Sequence, residues 1–405
     1  MVALQLARIE PESDSDQIVS RLAEFTYSGA PAIREERDGV TYLVNEYWTA
    51  RQRQAQSLHE VSYRACFKPQ LPEFFIDRLT SKGDWVYDPF MGRGTTPLQA
   101  ALMGRNAIGN DVNPLSTLLC RPRLRPPTLE QIAERLDRID WQHSVDLVDD
   151  LLVFYHPETL AELLALRAYL IHRDESGELD SVDDWIRMVA INRLTGHSTG
   201  FFSVYSLPPN QAVSLEGQRR INEKRQQKPP RRCVASIILR KTKSLLKDGT
   251  PPSVKARFVT GPANSTPTIG TGQVDLVVTS PPFLDIVQYA SDNWLRCWFA
   301  GIDVAAVDIA MHRKPIEWSS WVRGVFKELA RVVRPEGYVA FEVGEVRNGT
   351  VELDRVVVDA IRGLPFDVLC VLVNVQEFTK TANCWGVSNN SKGTNTNRIV
   401  LARRW

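Results

Sequence analysis

The chain has 405 residues, 43% of them hydrophobic and 24% charged, with a formal net charge of +1. That balance excludes a disordered or collagen-like chain, and the length predicts two or three domains, or one domain with a large insertion. No apolar run approaches the roughly 18 residues of a membrane span and no signal-peptide core is legible, so the expectation is a cytoplasmic protein with no membrane partner. The six cysteines (66, 120, 233, 297, 370, 384) form no CxxC pair. Their scatter speaks against a zinc knuckle or a disulfide framework, and no metal site is expected.

Residues 1–45 read as a polar N-terminal extension with a short helix around Gln17–Phe25. "EYWTARQRQAQSLHEVSYRACFKPQLPEFFIDRL" (46–79) mixes aromatic and basic residues before a helix entered through Pro72. "GDWVYDPFMGRGTTPLQAALMGRNAIGNDVNPLSTLL" (83–119) then reads as strand, glycine-rich turn, helix and strand. After the proline-rich break "RPRLRPPT" (121–128), apolar residues recur at i, i+3, i+4 in "TLEQIAERLDRI", "HPETLAELLALRAYLI" and "VDDWIRMVAINRL". That spacing predicts a mainly helical insertion over 121–253. The β-α-β pattern resumes at "VKARFVTG" (254–261) and "VDLVVTS" (274–280). The helix "SWVRGVFKELARVVRP" (320–335), the strand "GYVAFEVG" (337–344), a helix-strand pair and "TNRIVLARR" (396–404) complete it. The expected fold class is α/β: a Rossmann-like sheet with helices on both faces, built from 46–120 and 254–405.

Two stretches point to chemistry. In "VYDPFMGRGTT", Asp88 ends a strand, and Gly92 and Gly94 occupy the turn before a helix. Glycines there let backbone approach a ligand, and the helix start offers free N–H groups. Asp111 ends the next strand, where a carboxylate can accept hydrogen bonds from two ribose hydroxyls. The turn lacks the Gly-Lys-Ser/Thr ending of a phosphate loop, which favours a nucleoside without phosphates over pyrophosphate. A structural turn with a solvated aspartate is the plainer alternative.

In "TSPPF", Pro281 and Pro282 have no N–H to give a neighbouring strand, and each restricts the backbone. Carbonyls near 280–281, the Ser280 hydroxyl and the flat face of Phe283 would then stand at the sheet edge where such folds bind ligands. Two fixed acceptors suit an exocyclic amine of a nucleobase, because gripping its N–H bonds favours the pyramidal form whose lone pair can attack an electrophile. A strand that merely stops at a Pro-Pro turn is the competing reading.

Together, "DPFMGRGTT" and "TSPPF" resemble the S-adenosylmethionine-binding and catalytic motifs of the DNA amino-methyltransferases, which methylate cytosine N4 or adenine N6. The resemblance covers about 60–119 and 254–405. It implies a Rossmann-like methyltransferase fold, S-adenosylmethionine as cofactor and a target base flipped out of double-stranded DNA. By this resemblance Phe90, Gly92 and Gly94 would line the methionine and adenosine pocket, Asp88 would sit near the methionine amino group and Asp111 would bind the ribose. Phe67, in "CFKP", would pack on the cofactor. Pro262 stands after the third strand where relatives often carry an acid, leaving Asn264 or the backbone as the candidate for the adenine amine. Ser280, Pro281, Pro282 and Phe283 would be catalytic, and serine in the first of these positions is typical of cytosine-N4 enzymes. Such enzymes often protect host DNA from a companion restriction endonuclease.

Residues 219–257 hold thirteen Lys and Arg against two acids. A phosphate-contacting face is expected there, with Arg219, Arg220, Lys224, Arg225, Arg231 and Arg232 as DNA-binding candidates, against a merely solvated helix surface. "GHSTGFFSVYSLPPNQ" (196–211) reads as a loop able to enter a groove, and Trp294 and Trp298 as base-stacking candidates. The expected activity is methyl transfer to cytosine N4 in a short duplex site. Adenine N6 transfer, an RNA-directed methyltransferase and a non-catalytic nucleic-acid-binding protein are the alternatives. The sequence sets no oligomeric state.

Overall fold

A computed structural model describes residues 14–25, 31–48, 55–63, 66–142, 148–207, 212–284, 289–307, 312–346, 350–375 and 396–405. Most of the Asn-rich stretch 383–397 lies outside them.

The chain begins with helix α1 (Asp14–Ala23) and the strands β1 (Ile33–Arg37) and β2 (Val40–Asn45). Next come α2 (Gln70–Leu79), β3 (Trp85–Asp88), α3 (Thr95–Leu102) and β4 (Asn106–Asp111). A helical stretch follows: α4 (Pro114–Leu124), α5 (Leu129–Arg138), α6 (Pro157–Glu175), α7 (Ser181–Ile191), α8 (Leu215–Arg225) and α9 (Val234–Leu245). The sheet resumes with β5 (Ala256–Thr260) and β6 (Val274–Thr279), then α10 (Tyr289–Ala300), α11 (Pro315–Val332) and β7 (Val333–Val343). The small strands β8 (Glu345–Val346) and β9 (Val351–Glu352) precede α12 (Leu353–Ile361), β10 (Phe366–Val375) and β11 (Thr396–Arg404).

Nine strands form one sheet in the order β1-β2-β10-β11-β7-β6-β3-β4-β5. The run from β7 to β5 is parallel, and β11 lies antiparallel between β7 and β10. Both faces of the sheet are covered, as parallel sheets require. Along β6, Leu276 and Val278 face one apolar cluster with the insertion helices, while Val274 and Val277 face another with α11 and α12. The run of β-branched residues in "VDLVVT" is explained by this double burial, each side chain contributing roughly 1.5–3 kcal/mol. β6 stops pairing at Thr279, opposite Phe341 of β7, with only Ser280 before Pro281 and Pro282, which have no N–H to donate.

One boundary differs from the sequence reading. Residues 33–45, expected within an N-terminal extension, lie in the main sheet: β2 runs parallel to β10, with Leu43 opposite Leu372. The Asp38-Gly39 turn between β1 and β2, with φ of 52° and 77°, is a hairpin signal that the sequence carries. The partner strand is more than three hundred residues away, so only the folded chain reveals the pairing.

Candidate functional site

The functional candidates gather at the carboxyl ends of β3, β4, β5, β6 and β7. β3 is hydrogen-bonded between β4 and β6, which brings the glycine-rich turn beside the Pro-Pro stretch. A direct bond joins them: the Thr279 hydroxyl donates to Asp88 Oδ1 at 2.6 Å, and the Phe90 N–H donates to the same oxygen at 3.0 Å. At the second residue of α3, the Thr96 hydroxyl donates to the Val278 carbonyl at 3.0 Å. Asp88 is fully buried, and its other oxygen, Oδ2, has no partner among the described residues. Burial pushes its carboxyl up to about 7, against the opposing pull of the Thr279 and Phe90 hydrogen bonds.

The turn is built tightly. Gly94, at φ 79°, donates to the Met91 carbonyl at 2.6 Å, and a side chain there would collide with Cys120 of α4. Packing against α4 therefore demands glycine at this position, whatever the turn binds. Gly92 faces the Tyr63 ring, and its N–H donates to Asp111 Oδ2 at 2.9 Å. Asp111 Oδ1 accepts from the Asn113 N–H at 2.9 Å. Burial raises the Asp111 carboxyl while these two N–H groups hold it down. Each oxygen keeps a lone pair for a further donor. Asn110 donates to the Pro89 and Gly261 carbonyls at 3.2 and 3.0 Å, fastening the ends of β3, β4 and β5 together.

Phe90 packs on Trp321 of α11 at 5.3 Å between ring centroids. The exposed Asn264 lies over Gly324, one helical turn along the same helix. Phe67 is half-buried, and its carbonyl accepts from Arg93 Nη2 in the glycine-rich turn at 3.3 Å. Phe67, Asp88, Phe90, Gly92, Asp111 and Asn264 thus stand around the ends of three adjacent strands.

Pro281 is buried, while Ser280, Pro282 and Phe283 are half-buried. The Pro282 carbonyl accepts from Trp318 Nε1 of α11 at 3.0 Å, which anchors the stretch from behind. Ser280 stands beside Glu342, a residue the sequence reading passed over. Glu342 is buried near the end of β7, its carboxyl raised by burial and lowered by hydrogen bonds from Ser280 and Asn397. The signal was present in "YVAFEVG": one acid in an apolar strand, at the same end as the other candidates.

The insertion candidates are arranged differently. Arg219 pairs with Asp150 at 3.1 Å, Arg220 with Glu216, and Arg231 with Glu158 and, at 3.6 Å, Glu162. Arg225 lies 3.8 Å from the Tyr205 ring centroid, and Arg232 is half-buried. Lys224 is exposed. The thirteen cations do not form one free face, because acids from α6 and the preceding turn neutralise several of them. The loop expected to enter a groove is divided: His197, Ser198 and Thr199 are exposed, Phe201, Phe202, Ser203 and Val204 are buried, and residues 208–211 lie outside the described residues. Trp294 donates to the Val213 carbonyl at 3.3 Å and Trp298 packs under Arg167 at 5.1 Å. Both join α10 to the insertion. Among the described residues, no group of three or more His, Cys, Asp or Glu is arranged to hold a metal, and no helix is long and apolar enough to cross a membrane.

The strand order, the covered faces and the ligand-ready strand ends define a Rossmann-like methyltransferase fold. Residues 12–115 match the family model described as DNA methylase. A type II methyltransferase, M.MjaII, from Methanocaldococcus jannaschii is 39% identical over 74 residues, covering 18% of this chain and 14% of that protein. M.BsoBI from Geobacillus stearothermophilus is 30% identical over 123 residues, 25% of this chain and 24% of the relative. M.MthZI from Methanothermobacter thermautotrophicus is 36% identical over 72 residues, 17% and 20% respectively. The matches therefore span a quarter or less of each relative's length. Over these stretches the chain is similar to the N4/N6 DNA amino-methyltransferases.

Proposed function

We propose that the chain transfers a methyl group from S-adenosylmethionine to the exocyclic amine of a base flipped out of double-stranded DNA, with cytosine N4 as the target. The observation that carries this reading is the Thr279–Asp88 hydrogen bond, which fixes the Pro-Pro stretch beside the glycine-rich turn. The residues fit the cofactor: Asp88 offers a buried carboxylate oxygen without a partner, suited to a cationic amino group, and Asp111 keeps acceptor capacity for ribose hydroxyls. Bound there, S-adenosylmethionine supplies an electrophilic methyl group.

The rest is done by this chain. Pro281 and Pro282 hold the backbone in one extended geometry, and Trp318 fixes it through the Pro282 carbonyl. The Ser280 hydroxyl and the carbonyl beside it grip the amine's N–H bonds, so charge developing on nitrogen meets acceptors already in place. Glu342 orients the Ser280 hydroxyl from behind. Phe283 offers an apolar face to the unstacked base. Serine at position 280 supports cytosine through the family resemblance.

The test is incubation of the purified protein with isotopically labelled S-adenosylmethionine and duplex DNA, followed by nucleoside digestion and mass spectrometry. Labelled N4-methylcytosine is the expected product. N6-methyladenine alone would overturn the choice of base, and label in RNA but not in DNA would overturn the substrate.

A further inference from the structure

The insertion and the sheet domain meet at a cleft of about 410 Å3, lined by His59, Glu60, Tyr63, Arg93, Arg193 and Lys241 among others. Four parts of the chain build it: the segment before α2, the glycine-rich turn, the end of α7 and the middle of α9. Its charge is lopsided. Glu60 is the acid in the lining, and it is engaged by Lys241 at 2.8 Å and Lys247 at 3.8 Å. Among the described residues, no carboxylate lies within ion-pair distance of Arg93 or Arg193.

The two arginines are held by neutral groups instead. Arg93 donates to the Val61 and Phe67 carbonyls at 3.0 and 3.3 Å. Arg193 donates through Nε to the Asn192 carbonyl at 2.8 Å and rests 4.1 Å from the Phe201 ring centroid. Behind them, Arg296 lies 5.9 Å from the Tyr63 ring centroid, and the fully buried Arg123 is satisfied by carbonyls of Leu58, Leu119 and Arg93. The accumulated charge registers on its neighbours. Burial and the nearby Arg296 lower Arg193 to about 10, and burial with Arg123 and Arg93 holds His59 neutral down to about 3.

Arg93, Arg193 and Lys241 share one acid, the exposed Glu60, so the cleft keeps a net positive charge that stabilises an anion that enters. The contrast with the outlying arginines of α8 and the following segment matters: Arg219, Arg220 and Arg231 are already neutralised, whereas uncompensated charge remains here. The cleft also adjoins Tyr63, whose ring covers Gly92 in the cofactor turn. We propose that Arg193 and Lys241, with Arg93, grip a backbone phosphate of the nucleic acid being methylated, which rests on the proposed function in taking nucleic acid as substrate. A phosphate held here clamps the strand next to the cofactor turn and fixes the insertion against the sheet domain at the moment of binding.

The experiment uses the full chain and a fluorescein-labelled random-sequence DNA duplex, titrated by anisotropy across a range of KCl concentrations. For every phosphate that a variant ceases to neutralise, the slope of log K against log salt flattens by about 0.9. The double variant Arg193→Gln/Lys241→Gln is expected to flatten it by about 0.9, the loss of one phosphate contact. Its affinity at low salt should fall roughly tenfold or more, with calorimetric S-adenosylmethionine affinity retained. Glu60→Gln removes an exposed acid and no cation, releasing Lys241 from its ion pair and raising the same field: binding should tighten and the slope steepen. Unchanged slopes in both variants would overturn the proposal. So would unchanged DNA binding combined with thermal stabilisation by inorganic phosphate that the double variant loses, since that assigns the cleft to a small anion. Methyl incorporation is measured in parallel. Flattened slopes without methyl transfer to any nucleic acid support the cleft and sink the enzymatic reading; methyl transfer with unchanged slopes does the reverse.

Discussion

Buried acids are treated in opposite ways in the two halves of this molecule. In the insertion, Asp183 is fully buried and meets Arg173 Nε at 2.8 Å, the Tyr169 hydroxyl at 3.2 Å and Arg135. Its neighbour Asp184 pairs with Arg121 at 2.6 Å and Arg187 at 2.9 Å. At the strand ends, Asp88, Asp111 and Glu342 are held by hydroxyl, amide and backbone N–H groups, with no arginine or lysine in ion-pair distance among the described residues. Burial raises all three carboxyls. A paired buried charge locks helices together, whereas an unpaired one retains capacity for a ligand. Burial alone does not distinguish structure from function here; the partner does.

Breaking the paired side should cost stability and nothing else. Asp183→Asn leaves Arg135 and Arg173 facing a neutral amide and is expected to destabilise the fold by about 3–5 kcal/mol in denaturant titration. The folded fraction should bind S-adenosylmethionine as before. If stability is unchanged, the ion-pair cluster is not what fastens α5, α6 and α7.

The unpaired side should respond in the other direction. The Asp88 carboxyl is raised from an unfolded value near 3.8 to about 7 in the fold. The folded form therefore binds the proton more tightly. Its contribution to stability is full below about 3.8 and is lost as pH rises through about 7. Asp88→Asn should remove that loss, making the ligand-free variant more stable than the parent at pH 8 by a margin of the order of 4 kcal/mol, closing towards pH 4. Parallel stability curves for the two proteins would show that Asp88 is not strained by burial.

Two smaller effects sharpen the division at the strand ends. Ser280→Ala should lower single-turnover methylation by about 10²–10³-fold while calorimetric cofactor affinity stays within about twofold. A parental rate would remove Ser280 from the chemistry. Asp111→Ala should weaken cofactor binding by about 10–100-fold, the loss of hydrogen bonds to a charged group. Unchanged affinity would reduce Asp111 to a brace for the Gly92 turn.

Much of the fold was legible because its signals are local. The glycine-rich turn, the buried strand β6 and the helical spacing between β4 and β5 all followed from neighbouring residues. What escaped depended on partners distant in sequence. The charged strand "IREER" gave no sign that its hairpin extends the sheet, and the basic run of 219–257 gave no sign that α6 supplies its acids. Glu342 stood in plain view, but its importance depends on β7 lying next to β6.

By itself the sequence determined where the backbone must stop pairing and where it must turn sharply. Pro281 and Pro282 lack donors, and the glycines of the turn accept conformations that side chains resist. Those constraints are intrinsic to each residue. Tertiary structure alone decided which charges are cancelled and which remain open, because electrostatic energy falls with distance in space and is indifferent to distance along the chain.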